Sequence, residues 1–261
     1  MKWLIVKNYF LLLKPFWAWC FVSVMLGVFY SVGFHLEQIN FLKLSLIFTI
    51  FQLLYGAIYI FNDLIDYKSD RKNPEKLKRI IASGKISKKH AFYFASVLTV
   101  GSLIASIFVS LLFFGFELFF LVYNLIYSFF LKKLPYIDVF ANGVTHFMRF
   151  IMGVFLFGGL NSYYVGLAVY LIAIHTGFLK RYKELKNGEE GRECLKKYSL
   201  NKIIFLKVFI IACALILVLI SIGVDRWVTG INFLLILFFT IGYFRNKLIR
   251  RIVNKQSDAN Y

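Results

Sequence analysis

Residues 41–70 read FLKLSLIFTIFQLLYGAIYIFNDLIDYKSD. The run at about 41–61 is apolar and matches the roughly 20 residues that a helix needs to cross the hydrocarbon core of a bilayer. Beyond it the chain turns polar without a breaker, and Asp63, Asp66 and Asp70 follow at i, i+3 and i+7. A helix that continues past the apolar run stacks these three carboxylates on one face, with Asn62 beside them. The stretch therefore predicts a membrane helix that ends in a stripe of like charges.

The rest of the chain repeats the apolar half of this pattern. Similar stretches fall at about 16–34, 91–114, 117–131, 139–158, 163–179, 203–223 and 228–244, giving eight expected spans, two of them short. Sixty per cent of the 261 residues are hydrophobic and 17% are charged, which sets the chain apart from soluble domains. Pro15, Pro74 and Pro135 all lie outside the expected spans, where they interrupt no helical ladder. The expectation is an all-α integral membrane bundle of eight to nine helices, forming one polytopic domain over 1–261. Cys20, Cys194 and Cys213 are scattered and lack metal or redox spacing, so no role is assigned to them. Lys2, Lys7 and Lys14 precede a long apolar stretch without a small-residue cleavage pattern, so that stretch is expected to stay as the first span.

The charge is strongly basic, with 31 Lys and Arg against 13 Asp and Glu. In a soluble protein this would suit nucleic acid. Beside lipid it follows the positive-inside bias, and nucleic acid is not expected as a partner. Of the 31 basic residues, 27 fall in the N-terminus, in 62–90, at Lys132 and Lys133, in 180–202 and in the tail from Arg245. The alternate connections carry little beyond Glu37, Glu117, Asp225 and Arg226. Both termini are thus expected on the cytoplasmic side of the cell membrane, with cytoplasmic active-site loops at about 62–90 and 180–202.

Three carboxylates in one stripe repel one another and offer no structural return. A divalent cation removes the repulsion, and Mg2+ typically binds through one or two carboxylates plus substrate phosphates. The bland alternative is a solvated acidic helix end paired with Lys68, Arg71 and Lys72. The following residues 71–90, RKNPEKLKRIIASGKISKKH, place Lys76 and Arg79 among many cations around two turns. Carboxylate-bound metal opposite cations is a clamp for a diphosphate. Within the spans, Arg149 shares a helical face with Asn142, Thr145 and His146. An ionisable residue there is a functional candidate by default, and phosphate binding or a structural pairing with Asp138 are its two readings. His146 and His175 read as packing residues, as do Tyr123, Asn124 and Tyr127, which share one face of the fourth span.

The stretch Asn62-Asp63-x-x-Asp66-x-x-x-Asp70 followed by Ser83-Gly84-Lys85-Ile86-Ser87 resembles the first signature of the UbiA prenyltransferase superfamily. That resemblance implies a helical intramembrane enzyme that holds a diphosphate through Mg2+ on Asp63, Asp66 and Asp70. The run Asp70-Arg71-x-Asn73-Pro74-x-Lys76-x-x-Arg79-x-Ile81-Ala82-Ser83-Gly84 is similar to one branch, the decaprenyl-phosphate phosphoribosyltransferases. So are Tyr127-Ser128-x-x-Leu131-Lys132, Arg149 followed by Gly153, and Lys180-Arg181-Tyr182-x-Glu184-Leu185. Ile80 departs from a usual proline and Asn73 from a histidine. The second aspartate-rich motif of the aromatic prenyltransferases is replaced by Lys180, Arg181 and Glu184.

The branch implies transfer of 5-phosphoribose from phosphoribosyl diphosphate to a polyprenyl phosphate. One acidic cluster with several cationic ones suits a donor and acceptor that together carry a diphosphate and two further phosphates. The resemblance makes Asn62, Arg71, Lys76, Arg79, Tyr127, Lys132, Arg149, Lys180, Arg181 and Glu184 substrate-binding residues, and the three aspartates both metal ligands and catalytic groups. The rival within the same fold joins a prenyl diphosphate to an aromatic ring or glycerol ether. A transporter is disfavoured because neither repeats nor broken midplane helices stand out. A scaffold for anionic membrane lipids leaves the aspartate spacing unexplained.

Overall fold

The computed structural model describes residues 2–14, 20–73, 76–159, 164–186, 193–222 and 230. Among them the regular structure is entirely helical. The longer helices are α1 (Lys2–Leu12), α2 (Val22–Ser31), α3 (Phe41–Asp70), α4 (Lys88–Val109), α5 (Leu111–Phe129), α6 (Ile137–Phe157), α7 (Tyr164–Lys186) and α8 (Leu200–Ile222). Among the described residues five helices, α3, α4, α5, α6 and α8, are long and apolar enough to cross a membrane, and α2 is a shorter apolar helix. The chain is a multi-pass helical membrane protein. The expected span at 228–244 lies outside the described residues, as does Pro15.

Helix α3 starts where Asn40 Oδ1 accepts from Lys43 N–H at 2.9 Å, an N-cap that satisfies one otherwise orphaned donor. Its 30 residues rise about 45 Å, against about 30 Å of hydrocarbon, so the apolar run spans and the aspartate end stands proud of it. At the other side of the basic loop, Ser87 Oγ caps α4 by accepting from His90 N–H at 3.2 Å.

Two expected boundaries move. The apolar run at 91–114 is not one span: the backbone turns at Ser110, which is extended and whose hydroxyl accepts from Phe113 N–H at 3.0 Å. One serine in a continuous apolar stretch is enough to end α4 and cap α5, so the expected short span at 117–131 is a full helix from Leu111. Glu117, expected in a connection, consequently lies inside α5 and is buried. The second shift concerns 180–202. Helix α7 runs to Lys186, so Lys180, Arg181 and Glu184 are helical residues rather than loop residues. KRYKELK is charged but made of good helix formers, and charge alone does not stop a helix.

The helices gather into two compact units. The first holds α1, α3, α4 and α5. Its core joins Leu12, Ala57, Ile60, Ile81, Ile86, Ala91 and Ala95, the two alanines giving α4 a smooth face toward its neighbours. Deeper along α3, Phe51 stacks on Tyr55 at 5.3 Å and meets Phe120 of α5 edge-on at 5.5 Å. The second unit holds α2, α6, α7 and α8, with a core of Val139, Ile174, Phe178, Cys194, Leu195, Tyr198, Ile203 and Ile210. In it α2 and α6 touch through glycines. A Cβ on Gly27 would land on the carbonyl oxygen of Phe150, and one on Gly153 on that of Val24. Small residues that let backbones approach this closely are how helices associate where lipid removes the hydrophobic drive. All three cysteines are free.

Candidate active site

The aspartates of α3 meet cations from three directions in the first unit. Arg79, at the end of the basic loop, donates from one Nη1 to Asp63 Oδ1 at 3.2 Å and to Asp70 Oδ2 at 2.7 Å. Lys14, after α1, donates from Nζ to Asp63 Oδ1 at 3.0 Å. Lys76 lies 3.9 Å from Asp70 Oδ1. The helical spacing explains the pairing, since residues seven apart on α3 lie on one face and a single guanidinium reaches both carboxylates. Asp63 and Asp70 are buried, with side chains 5% and 1% exposed, while Asp66 is half-buried.

Lys14 is held under tension. Its backbone has φ 51°, a left-handed conformation unfavourable for a residue with a side chain. Burial pulls its ammonium below the usual lysine range, more strongly than the facing Asp63 carboxylate lifts it. Its Nζ also lies 5.2 Å from the centre of the Tyr59 ring.

Charge is thus balanced, but the oxygens are not all satisfied. Asp70 Oδ1 is buried and accepts no hydrogen bond. A hard, oxygen-seeking dication fits this donor set, because it offers an unsatisfied buried carboxylate oxygen next to two further carboxylates. Among the described residues no three acidic, histidine or cysteine side chains converge as a ready metal cage. The fit is therefore to an ion that takes one or two carboxylates and completes its shell elsewhere, as Mg2+ does, rather than to one that needs a closed cage.

Other expected site residues lie apart from this cluster. Asn62 Oδ1 accepts from Ser128 of α5, which ties the start of the acidic face to its neighbour helix. Tyr127, one residue earlier on α5, is half-buried. Arg71 is exposed and donates to the Tyr67 hydroxyl at 3.1 Å instead of to an aspartate.

The second unit has its own buried ion cluster. Asp138, in the first turn of α6, is fully buried and takes Arg181 Nε at 2.9 Å and Nη2 at 2.7 Å on Oδ2. Arg181 Nη1 donates to Glu184 Oε2 at 2.5 Å, and the Tyr198 hydroxyl donates to Asp138 Oδ1. Burial, and then the hydrogen bond to Asp138, push the Tyr198 phenol far above its ordinary value. Arg149, also buried, folds back on its own helix, with Nε to Thr145 O at 3.0 Å and Nη2 to Thr145 Oγ1 at 2.9 Å. Asp138, the structural partner considered for it, is engaged by Arg181 and Tyr198. Lys132 and Lys180 are half-buried. Lys14 and Tyr198 are members of these clusters that the sequence did not single out, and Asp138 was expected only as a partner of Arg149. Lys14 read only as topogenic charge, and Asp138 carried the one available signal, an acid inside an apolar helix.

The fold and this cluster define a helical membrane protein with an aspartate face at a helix end, met by basic side chains. The profile of the UbiA prenyltransferase family matches residues 20–259, and the chain belongs to that family. It is 31% identical over 152 residues to the uncharacterized protein y4nM of Sinorhizobium fredii, covering 58% of this chain and 30% of that one. It is 28% identical over 161 residues to the decaprenyl-phosphate phosphoribosyltransferase of Mycolicibacterium smegmatis, covering 60% of this chain and 51% of that protein. The match thus spans about half the length of the phosphoribosyltransferase and about a third of y4nM. Among solved structures, a UbiA homolog from Archaeoglobus fulgidus bound to DMAPP and Mg2+ superposes with a TM-score of 0.74 at 18% identity, over 91% of this chain and 86% of that one. The fold is that of the UbiA transferases.

Proposed function

We propose that the protein transfers 5-phosphoribose from phosphoribosyl diphosphate to a polyprenyl phosphate at the aspartate face of α3. The observation that carries this reading is the buried pair Asp63 and Asp70, bridged by Arg79 and left with one unsatisfied oxygen. Its identity as a phosphoribosyl site is supported by the similarity to the phosphoribosyltransferase of Mycolicibacterium smegmatis and by the branch-specific run from Asp70 to Gly84.

In this reading Asp63, Asp66 and Asp70 hold Mg2+, which when bound neutralises diphosphate oxygens and makes diphosphate a better leaving group. Arg79 and Lys14 leave the carboxylates and take up phosphate oxygens, with Lys76 and Asn62 beside them; Arg79 suits bidentate contact. The C1–O bond to diphosphate breaks with its electron pair leaving on diphosphate, and a phosphate oxygen of the lipid bonds to C1. Positive charge grows on the ribose ring between these events. The lipid phosphate is already anionic near neutral pH, so no general base is required. By the family resemblance alone, Lys132, Arg149 and Lys180 are assigned to the remaining phosphates and Tyr127 to substrate binding. Arg181 and Glu184 act as positioning residues, because the polar edge of Arg181 is spent on Asp138 and Glu184. The positive-inside pattern supports an acidic face and termini on the cytoplasmic side of a bundle of eight to nine spans.

A second reading, transfer of a prenyl group from a prenyl diphosphate, is favoured by the fold neighbour bound to DMAPP and Mg2+. The test offers the purified full-length protein either radiolabelled phosphoribosyl diphosphate with polyprenyl phosphate, or radiolabelled prenyl diphosphate with an aromatic or glycerol-ether acceptor, each with and without Mg2+. Label from phosphoribosyl diphosphate is expected to enter lipid only with Mg2+. Label entering from the prenyl donor alone overturns the phosphoribosyl assignment in favour of the second reading.

A further inference from the structure

Arg71 does not join the acidic cluster, and its actual surroundings point to a different ligand. Its Nη1 donates to the Tyr67 hydroxyl at 3.1 Å, and its Cζ lies 5.7 Å from the centre of the Tyr67 ring. The Nζ of Lys88, the first residue of α4, lies 4.8 Å from the same centre. Two cations from separate elements therefore share one aromatic ring. Both are exposed, and among the described residues neither has a carboxylate partner. Attraction to the ring face holds each of them. Among the described residues their like charges have no counter-charge, and an anion that both can reach would supply one.

The position of this pair selects the anion. On α3, Tyr67 and Arg71 lie about a quarter of a turn round the helix from Asp63, Asp66 and Asp70. The acids Asp63 and Asp70 are buried, whereas Arg71 and Lys88 open outward. On α4, Lys88 stands one turn before Phe92 and Lys89 one turn before Tyr93. Those aromatics begin an exposed apolar stripe that continues through Val97, Val100, Ile104 and Phe108. A stripe of large exposed apolar side chains on a spanning helix faces lipid tails. The cations that crown it therefore stand at headgroup level, where tyrosine is also the usual interfacial residue.

We propose that Arg71 and Lys88, mounted on Tyr67 and assisted by Lys89, form a seat for the phosphate of an anionic bilayer phospholipid. The seat is distinct from the aspartate face, and its occupant is a membrane lipid rather than either transfer substrate. Arg71 is accordingly a lipid-anchoring residue and not a ligand of the donor diphosphate. A basic side chain close to an anionic lipid surface contributes about a fivefold gain in affinity, so the pair contributes about thirtyfold.

Native mass spectrometry of the full-length protein in detergent tests this with two probes, phosphatidylglycerol and phosphatidylcholine of identical acyl chains. The wild type is expected to retain phosphatidylglycerol preferentially. Arg71→Gln with Lys88→Gln together should weaken that retention about thirtyfold, and Lys88→Gln alone about fivefold. Lys78→Gln removes an exposed cation of the same loop outside the seat and should change retention less than twofold. Unchanged melting in lipid-free detergent certifies the fold of each variant, and Lys88→Gln alone carries the test should the double variant melt early. Equal retention of the two lipids by wild type overturns the proposal. So does wild-type retention by the double variant, and so does a loss in Lys78→Gln as large as that in the double variant, which would make the effect one of diffuse loop charge.

Discussion

Replacing Arg181 by methionine separates a phosphate ligand from a structural clamp. The guanidinium donates three hydrogen bonds to two buried carboxylates, at 2.9 and 2.7 Å to Asp138 and at 2.5 Å to Glu184. Methionine keeps most of the volume and removes the charge. Asp138 is fully buried and then keeps only the Tyr198 hydroxyl, while Glu184 loses the donor from Arg181. Leaving a buried ion without its partner costs about 3–5 kcal/mol. For a chain of this size each kcal/mol shifts the melting temperature by about 2–4 °C, so a fall on the order of 10 °C is expected. The assay is built into the molecule. Cys20 and Cys194 are free and buried, so a thiol-reactive fluorophore reports unfolding of detergent-purified protein. Arg181→Met with Asp138→Leu should recover part of the loss, because it removes the stranded Asp138 charge together with its partner. An unchanged melting temperature in Arg181→Met, combined with weakened donor binding, would refute the clamp and restore Arg181 as a phosphate ligand.

Three further outcomes follow from the same geometry. Tyr198 is held protonated well above its ordinary value, so its contribution is complete below about pH 10 and is lost as pH rises further. Wild-type stability should therefore fall by up to about 1.4 kcal/mol per pH unit more steeply than that of Tyr198→Phe above pH 10, in chemical denaturation followed by tryptophan fluorescence. Gly153→Ala forces a Cβ onto the carbonyl of Val24 and should cost about 1–3 kcal/mol or more, whereas Gly115→Ala in α5, where nothing lies within 4 Å, should be neutral or slightly stabilising. The thiol melt reads both. Lys14→Met removes a buried ammonium whose desolvation outweighs its attraction to Asp63, which keeps Arg79, and should change stability by less than about 1 kcal/mol in the same melt; a loss above about 3 kcal/mol would show that Asp63 depends on it.

The sequence announced α3 and its acidic face because the signal is local: an apolar run, no breaker, and carboxylates at helical spacing. It did not announce the turn at Ser110, since a single capping hydroxyl is invisible inside 24 apolar-rich positions and acts only through the geometry of the Phe113 amide. The length of α7 was hidden for the opposite reason. Charge suggested a loop, although Arg181 and Glu184 at i, i+3 are natural helical neighbours. The partners of the site residues were the least legible. Lys14 reaches Asp63 across 49 positions and Arg181 reaches Asp138 across 43, and no local pattern encodes such distances. Arg71 shows the same limit from another side. Its place in a motif suggested the diphosphate, while its side chain lies on Tyr67.

The proposed chemistry requires the aspartate face of α3 to grip a metal-bridged diphosphate. Isothermal titration of the full-length protein with inorganic diphosphate, with and without Mg2+, measures that directly on wild type, Asp63→Asn and Asp70→Asn, each first checked by the thiol melt. Binding should require Mg2+ in the wild type and weaken at least tenfold in each well-folded variant. Diphosphate binding that is equally tight without Mg2+, or that survives both substitutions unchanged, contradicts the account.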